Sequence, residues 1–381
     1  MRSVRDLDVA GKRVLVRADL NVPLGDDGAV TDDTRIRAAL PTVELLLDRG
    51  AQVILCSHLG RPKGEPKPEL SLRPVAERLS ELLGREVAFG EQQGELRLLE
   101  NLRFDPREEQ NDPGFAAELA SQADLFVEDA FGAVHRAHAS TVGVAELLPA
   151  AAGLLLESEL RAFAQLLDDP AHPFVVVIGG VKVADKIGVI DRMTQLADAI
   201  LVGGAMAFTF LVADGVSVGA SRHEDAEGQA TARTAMADAR ERGCELLLPV
   251  DLVVADRFAA DAATRVVAAD AIPDGWMGLD IGPQTAERYA ARLAGARTIF
   301  WNGPMGVFEL APFAQGTLAV AHAVAASPAV SVVGGGDSVA AVNVAGVADQ
   351  ISHVSTGGGA ALELIEGKLL PGVAALEGSP V

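Results

Sequence analysis

The feature that most constrains the fold is a strand that runs straight into a glycine turn and then into a helix. Residues 329–333 are small or β-branched and predict a short strand buried on both faces. Gly334, Gly335 and Gly336 follow and let the backbone turn sharply and expose its N–H groups. Asp337 and Ser338 then stand where the N-cap of a helix is expected. Together these elements predict an anion site, although a single such turn is equally compatible with a tight connection that binds nothing.

The same arrangement recurs three times in the second half of the chain. Predicted strands at 174–178, 199–202 and 353–356 each lead into two or three glycines. Four such turns would meet at the carboxyl edge of one parallel sheet, where open α/β folds bind their ligands. Neither the P-loop spacing nor the dinucleotide fingerprint is present, so the sequence predicts a phosphate-binding edge of a different kind.

Composition narrows the class of protein and of partner. The chain has 381 residues, of which 49% are hydrophobic and only 4% aromatic, and this predicts an aliphatic α/β protein of two or more domains. A net charge of -21 argues against nucleic acid and anionic membranes as partners. Two cysteines without a metal or disulfide pattern favour a reducing cytosol. The first residues form no apolar signal and no run is long enough for a membrane span, so we expect a cytoplasmic protein.

Polar side chains follow strand after strand in the first half of the chain. They are Asp19 and Asn21, His58 and Arg61, Arg103, and Arg136, with Arg35 at a predicted helix start. One surface arginine is usually only solvated, but several at successive strand ends favour a site for phosphate or carboxylate. The nearby pair His135 and His138 lacks a third ligand, which disfavours a metal site.

A long helix predicted over Leu154–Leu167 and a proline-rich break at 168–173 indicate a domain boundary. An ordinary amphipathic helix within one domain is the alternative. Beyond it, Lys182 and Lys186 stand four residues apart, and at a helix start they would share one face and suit an anion between them. The string at 300–309, FWNGPMGVFE, predicts a loop with more polar detail than a plain turn needs.

At this point the sequence resembles the phosphoglycerate kinase family. The motifs that carry the resemblance occur in the family's order and cover nearly the whole chain; they lie at 16–23, 57–62, 99–104, 129–138, 179–186, 278–283, 301–309, 334–338 and 352–359. The resemblance implies an α/β fold of two doubly wound parallel-sheet lobes, each a three-layer αβα sandwich, facing across a cleft and joined by a hinge helix. The implied domains are 1–155 with 366–381 for phosphoglycerate, 156–168 as the linker helix, and 169–365 for the nucleotide.

The resemblance also implies the activity and the residues of the site. The activity is reversible phosphoryl transfer between 1,3-bisphosphoglycerate and ADP, giving 3-phosphoglycerate and ATP. The residues that resemble the phosphoglycerate site are Asp19, Leu20, Asn21, Arg35, His58, Leu59, Gly60, Arg61, Arg103 and Arg136. Those that resemble the nucleotide site are Lys186, Asn302, Glu309 (toward the ribose), Gly335, Gly336, Asp337 and Ser338.

Catalysis in such a site is expected to rest on positioning and charge. Arg35, Lys182 and Gly336 are the groups expected to stabilise the phosphoryl group in transfer. Asp337 would hold Mg²⁺ that is bound mainly by the nucleotide phosphates. The acceptor carboxylate is already ionised at neutral pH, so no general base is expected. The family further implies a monomer.

The sequence departs from the family's pattern at several places. Ala18, Leu20, Val181 and Ser338 are mild replacements, whereas Ser158 stands where the linker helix often has a lysine. The segment 89–95 is far shorter than usual and predicts a tight loop in place of a helix.

Two other classes of protein share parts of this pattern. A nicotinamide-dependent dehydrogenase would share the fold class but needs the missing glycine fingerprint. A two-lobed solute-binding protein would share a cleft but would carry an export signal and need no paired lysines.

Overall fold

The structure, a computed structural model, describes residues 1–379. It forms two compact units, of which the first contains Met1–Arg161 and the C-terminal segment from Lys368. The second unit contains Ala162–Gly367. Each unit has its own aliphatic core.

The first unit is built on a six-stranded parallel sheet. Its strands are β1 Arg13–Arg17, β2 Gln52–Cys56, β3 Ala88–Phe89, β4 Leu96–Leu98, β5 Leu125–Glu128 and β6 Ala150–Ala152, in the spatial order β3-β4-β2-β1-β5-β6. Its helices are α1 Thr34–Asp48, α2 Arg73–Leu83, α3 Pro113–Ala120 and α4 Val144–Leu147. The helix α5, Leu154–Leu167, begins in this unit and ends in the second.

Strand β1 lies near the centre of this sheet, between β2 and β5. Four of its five residues are buried, as expected for a parallel strand covered on both faces. Helix α2 is capped at its C-terminus by Gly84, which has a φ of 62°, the left-handed conformation that glycine adopts most readily.

The shortened segment is a loop, as the sequence predicts. Strands β3 and β4 pair in parallel, with Ala88 opposite Arg97, and residues 90–95 between them contain no helix. Before this loop, only Ala88–Phe89 form the strand β3. Gly90 adopts a φ of 65° where the chain leaves β3.

The second unit contains nine strands in two sheets. They are β7 Phe174–Ile178, β8 Ala199–Val202, β9 Glu245–Leu247, β10 Asp251–Ala255, β11 Thr264–Ala268, β12 Met277–Ile281, β13 Thr298–Asn302, β14 Val330–Val333 and β15 His353–Val354. Six form a parallel sheet in the order β15-β14-β13-β7-β8-β9. The others form an antiparallel sheet in the order β11-β10-β12, which the sequence analysis did not predict.

Helices complete both units. Those of the second unit are α6 Ile187–Leu196, α7 Met206–Ala213, α8 Ala226–Glu241, α9 Pro283–Ala294, α10 Gln315–Ala326, α11 Gly336–Val344 and α12 Gly359–Ile365. Short 3-10 turns lie at Val4–Asp6, Pro68–Leu70, Leu102–Phe104, Phe131–Ala133, Ala184–Lys186, Ala311–Phe313 and Ala348–Gln350, and a π turn at Ala139–Gly143. None of the helices within residues 1–379 has the length and apolar character needed to span a bilayer.

The last helix, α13 Pro371–Glu377, belongs to the first unit. The backbone N–H of Gly372 donates to the carbonyl of Val134 at 2.9 Å. A Cβ at Gly372 would lie 3.0 Å from Val134 Cα, so the helix approaches closely only because glycine is present.

The start of α5 is held by a buried carboxylate. Asp129 Oδ1 accepts hydrogen bonds from the backbone N–H groups of Leu155 at 2.9 Å and Leu156 at 3.2 Å. These are among the first N–H groups of the helix, which have no partner inside it. Gly153 packs so tightly on this carboxylate that a Cβ there would overlap the Asp129 side chain.

We therefore expect Gly153→Ala to destabilise the first unit. The new methyl group must displace Asp129 from the helix start, a form of overpacking that typically costs about 1–3 kcal/mol. Urea unfolding followed by circular dichroism measures the change. Gly295→Ala is the control, because its Cβ would meet only Arg292 O at 3.8 Å. Equal stability of the two variants would contradict the proposed crowding.

Candidate functional site

The loop after β1 and the start of α1 meet through an ion pair in the first unit. Asp19 is 4% exposed, and Arg35 Nη1 lies 3.0 Å and 2.9 Å from its two carboxylate oxygens. The N–H of Asn21 also donates to Asp19 Oδ1 at 3.2 Å, and Asn21 Oδ1 accepts from the Gly60 N–H at 2.8 Å. Asp19 therefore fixes the orientation of Arg35, and Asn21 ties this loop to the loop after β2.

Two candidate residues are buried leucines. Leu20 and Leu59 are 0% and 2% exposed. The N–H of Leu20 donates to Ser57 Oγ at 3.0 Å, and that of Leu59 donates to Asn101 Oδ1 at 3.2 Å. Their side chains thus belong to the core, and they shape the loops rather than present side chains to a ligand.

Arg103 connects the end of β4 to the same loops. It is 6% exposed, and its Nη1 donates to the Gly60 carbonyl at 2.9 Å. Burial lowers the pKa of this guanidinium, while the nearby Glu109 opposes the shift. The structure thus brings Asp19, Asn21, Arg35, Gly60 and Arg103 into one connected set.

The remaining two candidate arginines, Arg61 and Arg136, are exposed and form the rim of this connected set. Arg136 Nε donates to His135 Nε2 at 3.1 Å, and its charge acts on both Arg103 and His138, which places it close to the connected set. Arg61 follows Gly60 directly and makes no hydrogen bond or ion pair with the rest of residues 1–379. Both guanidinium groups are therefore available to a ligand.

Two histidines lie below the rim in a buried, neutral state. His58 is 8% exposed, and burial lowers its pKa, followed by the charges of Arg17, Arg103, Arg35 and His138. His138 is 6% exposed, and mainly burial lowers its pKa to about 4. Across the described part of the chain no three His, Cys, Asp or Glu side chains form a group suited to a metal.

Sequence reasoning missed the groups that support His58. Arg17 is fully buried and donates to His58, while Glu108 and Ser140 lie behind it. The position of Arg17 at a strand end was a usable signal, since other strand ends supplied candidates. Nothing in the sequence around Glu108 marks it.

In the second unit, glycine loops pack backbone against backbone at the edge of the parallel sheet. A Cβ at Gly179 would overlap the Pro304 carbonyl, and one at Gly204 would lie 2.6 Å from the backbone N and O of Gly180. Gly303 has a φ of 99°, and a Cβ there would overlap the Gly179 carbonyl. The four predicted glycine turns follow β7, β8, β14 and β15 of this one parallel sheet, so their position at one sheet edge is confirmed.

Lys186 lies within this glycine edge. Its Nζ donates to the carbonyls of Gly179 at 2.6 Å and Asn302 at 3.0 Å. Burial lowers its pKa to about 8, while Asp337 and Asp185 act in the opposite direction. An ammonium held among carbonyls and partly desolvated is well placed to bind a phosphate oxygen.

The prediction that Lys182 and Lys186 share one face of a helix start is wrong. Helix α6 begins only at Ile187, after a 3-10 turn at Ala184–Lys186. Lys182 lies in the preceding loop with its side chain exposed, and Lys186 folds inward to the carbonyls described above. The turn adopts the tighter geometry, so the four-residue spacing does not place the two ammonium groups together.

The prediction that Asp337 and Ser338 cap α11 is also wrong. The N-cap is Gly335, with a φ of 92°, and the helix begins at Gly336. Asp337 and Ser338 therefore lie in its first turn. Ser338 is fully buried and its Oγ accepts from the Gly303 N–H at 2.5 Å, so it joins two loops instead of capping a helix.

Asn302 has a similar joining role. Its Nδ2 donates to the Gly334 carbonyl at 2.7 Å, and its own carbonyl accepts from Lys186. It is 3% exposed. Asn302 thus orders the loops after β13 and β14 relative to each other.

A cavity of about 370 Å³ opens beside the glycine edge. Its wall is apolar, and the residues Phe208, Leu252, Met277, Leu279 and Val307 belong to it. Glu309 and Asp337, both exposed, also line it. The volume is within the range of small-molecule sites. The sequence did not reveal the apolar wall, because such residues are indistinguishable from core.

The acidic groups here fit a magnesium ion that is bound mainly by a ligand's phosphates. Asp337 presents one exposed carboxylate in the first turn of α11, next to Gly336, where a Cβ would meet nothing within 4 Å. Magnesium commonly uses one or two protein carboxylates together with substrate phosphates. A single carboxylate beside open space therefore suits this mode and not a cage built by the protein.

Comparison with known proteins shows similarity to one family over almost the entire length of this chain. The model of the family described as Phosphoglycerate kinase matches residues 4–368. The phosphoglycerate kinase of Chloroflexus aurantiacus is 58% identical over 395 residues, covering 99% of this chain and 98% of the relative. That of Rubrobacter xylanophilus is 59% identical over 388 residues, covering 98% of each.

Solved structures give the same result. Phosphoglycerate kinase from Coxiella burnetii has a TM-score of 0.90 and 43% identity, covering 98% of each chain. The enzyme from Pyrococcus horikoshii OT3 has a TM-score of 0.82 and 33% identity, covering 99% of this chain and 98% of that one. The α/β fold on two parallel sheets is thereby confirmed, and this chain belongs to the phosphoglycerate kinase family.

Proposed function

We propose that this chain transfers a phosphoryl group reversibly between 1,3-bisphosphoglycerate and ADP, forming 3-phosphoglycerate and ATP in glycolysis and gluconeogenesis. The observation that carries the proposal is the family match over residues 4–368, with relatives of the same name that align end to end. We assign the phosphoglycerate to the first unit and the nucleotide to the second.

The proposed substrate site is the connected polar set of the first unit with its exposed rim. Its residues are Asp19, Leu20, Asn21, Arg35, His58, Leu59, Gly60, Arg61, Arg103 and Arg136. Guanidinium groups bind phosphate and carboxylate through paired N–H donors, which supports this assignment for the four arginines. Leu20 and Leu59 contribute through their backbone, because their side chains are buried.

The proposed nucleotide site is the glycine edge and the adjoining cavity of the second unit. Its residues are Lys186, Asn302, Glu309, Gly335, Gly336, Asp337 and Ser338. Lys186 and the exposed N–H groups at the start of α11 suit the phosphates, and the apolar cavity suits the base. Glu309 is assigned to the ribose hydroxyls. Asn302 and Ser338 hold the loops in place.

The chemistry requires charge and alignment more than proton transfer. A carboxylate oxygen of 3-phosphoglycerate forms a bond to the γ-phosphorus of ATP while the bond from that phosphorus to the β,γ-bridging oxygen breaks, and ADP leaves. The carboxylate is ionised at neutral pH, so no residue must remove a proton. Arg35, Lys182 and the Gly336 N–H are proposed to stabilise the phosphoryl group as it passes between the oxygens.

The same proposal includes four further properties, namely bound Mg²⁺, the assembly state, the cellular location and a hinge motion. Asp337 would hold Mg²⁺, which when bound neutralises charge on the nucleotide phosphates. We further propose a cytoplasmic monomer in which α5 serves as a hinge. Residues 1–155 with 366–381 and residues 169–365 are the proposed lobes, with 156–168 between them.

The activity and the role of Lys182 are tested together by following ATP formation from 1,3-bisphosphoglycerate and ADP. We expect the wild-type protein to turn over and Lys182→Ala to lower kcat and kcat/KM by about 10²-fold or more, because a transition-state contact is removed. ADP affinity measured by calorimetry should remain close to the wild-type value.

The matched control is Arg192→Ala, which removes a partly exposed cation on α6 that bonds to Gln195. It should retain wild-type turnover. An inactive wild-type protein would refute the proposed function, whereas an active Lys182→Ala variant would refute only the assignment of Lys182.

The exposed arginines of the first unit provide the next prediction. Arg61→Ala or Arg136→Ala should weaken 3-phosphoglycerate binding by roughly 1.5–3 kcal/mol, the scale of a hydrogen bond to a charged group. Calorimetric titration with 3-phosphoglycerate and with ADP measures both affinities. Arg85→Ala, at an exposed ion pair with Glu95, is the control and should bind normally. Loss of ADP binding instead would mean that the ligands are assigned to the wrong units.

The proposed hinge motion predicts a change of dimensions in solution. If closure is needed to bring donor and acceptor together, small-angle scattering should give a smaller radius of gyration with 3-phosphoglycerate and a nucleotide bound than with either alone. Superimposable scattering curves in all four states would exclude hinge closure of this kind.

A further inference from the structure

Arg17 is a fully buried arginine at the end of β1 whose guanidinium has four partners, one of which is Ser57 Oγ at 3.5 Å from Nη1. Its Nε donates to Ser140 Oγ at 2.9 Å and its Nη1 to the Ala18 carbonyl at 2.7 Å. Its Nη2 lies 3.0 Å from His58 Nδ1. The guanidinium is planar, so these bonds fix its orientation from several directions.

The contact with Arg17 determines where the proton of His58 resides. A guanidinium has only donors, so His58 Nδ1 must be the acceptor and cannot carry a hydrogen. A neutral imidazole then carries its proton on Nε2. Nε2 forms no hydrogen bond with any group in residues 1–379, so this one N–H is left for a ligand.

The surroundings keep the ring neutral. The charged and titratable groups that face His58 are Arg17 from β1, Arg35 from α1, Arg103 after β4, and His138 beyond β5, and each opposes a positive charge on the ring. Burial acts in the same direction. His58 therefore differs from the arginines around it, because it offers a donor without a charge.

A buried carboxylate holds Arg17 in place. Ser140 Oγ donates to Glu108 Oε1 at 2.5 Å and the Ser140 N–H donates to Glu108 Oε2 at 3.1 Å. Ser140 is thereby oriented so that its oxygen lone pairs accept from Arg17 Nε. Glu108, Ser140, Arg17 and His58 thus form a chain of hydrogen bonds from the core to the rim.

We propose that Arg17 is a positioning residue that holds His58 as its Nε2–H tautomer, so that the ring donates this N–H to an anionic oxygen of the phosphoglycerate substrate. The inference rests on the proposed function, which assigns His58 to the substrate site. The competing view is that Arg17 serves only as a buried counter-charge for Glu108 and Glu128.

Two amide substitutions of His58 distinguish the roles of its two ring nitrogens. In Gln the amide nitrogen can occupy the place of Nε2, whereas Asn reaches only the place of Nδ1. We expect His58→Gln to keep KM for 3-phosphoglycerate within about threefold of wild type, and His58→Asn to raise it about tenfold or more, the effect of losing one hydrogen bond to a charged group. KM for ATP should be unchanged in both. Equal or better substrate binding by His58→Asn would overturn the proposal.

The tautomer itself is measured by NMR on protein with ¹⁵N-labelled histidine. In the wild type at neutral pH, His58 should show a protonated Nε2 and an unprotonated Nδ1. A protonated Nδ1 would overturn the proposal. This spectrum is recorded without substrate, so its outcome is independent of whether the proposed reaction occurs.

Substitution of Arg17 completes the test. Arg17→Met should let His58 sample both tautomers and raise KM for 3-phosphoglycerate, with KM for ATP unchanged, and Arg17→Lys should restore part of the effect by donating to Nδ1. If Arg17→Met retains the wild-type His58 spectrum and KM, the proposal is wrong. Should it fail to fold, the Gln and Asn pair and the wild-type spectrum decide.

Discussion

The architecture of the second unit depends on places where a side chain cannot fit. Gly179, Gly204 and Gly303 end or follow neighbouring parallel strands, and their backbones touch with no room for a Cβ. Close approach of backbones brings N–H and carbonyl groups from three loops to one edge. Lys186 then finds its two carbonyl acceptors there, and the start of α11 faces open space. The proposed binding of phosphate at this edge thus depends on the absence of side chains as much as on the presence of a lysine.

In the first unit, hydrogen bonds of side chains order the loops, instead of close contacts between glycines. Asp19 orients Arg35, and Asn21 binds Gly60. Below them Arg17 is buried with the carboxylates Glu108 and Glu128, and burial raises the pKa of both acids. Positive charge can therefore face solvent on a chain of strongly acidic composition, since Arg35 is held by Asp19, which is itself buried.

The sequence predicted the parts of this protein that depend on local pattern. The apolar run at 174–178 is long enough to identify β7, and the glycines after it identify the loop. It could not fix where α11 begins, since three consecutive glycines permit several starting points, and the structure uses Gly335. The 3-10 turn before α6 likewise separated two lysines that a regular helix would have paired.

Contacts between segments that are distant in the chain could not be predicted from local sequence pattern. Arg17 and Ser140 are 123 positions apart, and no sequence pattern around either residue predicts the hydrogen bond between them. The apolar wall of the cavity, including Phe208 and Met277, has the composition of ordinary core. The antiparallel sheet of β10, β11 and β12 was missed because its edge strand β11 is largely exposed and lacks a buried face to read.

The position of α13 has a consequence for the order in which the protein is completed during translation. The helix packs in the first unit, with Gly372 bonded to Val134, yet the whole of the second unit is encoded between these residues. The ribosome has therefore synthesised every strand of the second unit before α13 can pack against the first unit. The N-terminal unit begins to form first and is finished last, so a nascent chain stalled within the second unit carries an unfilled surface where α13 belongs.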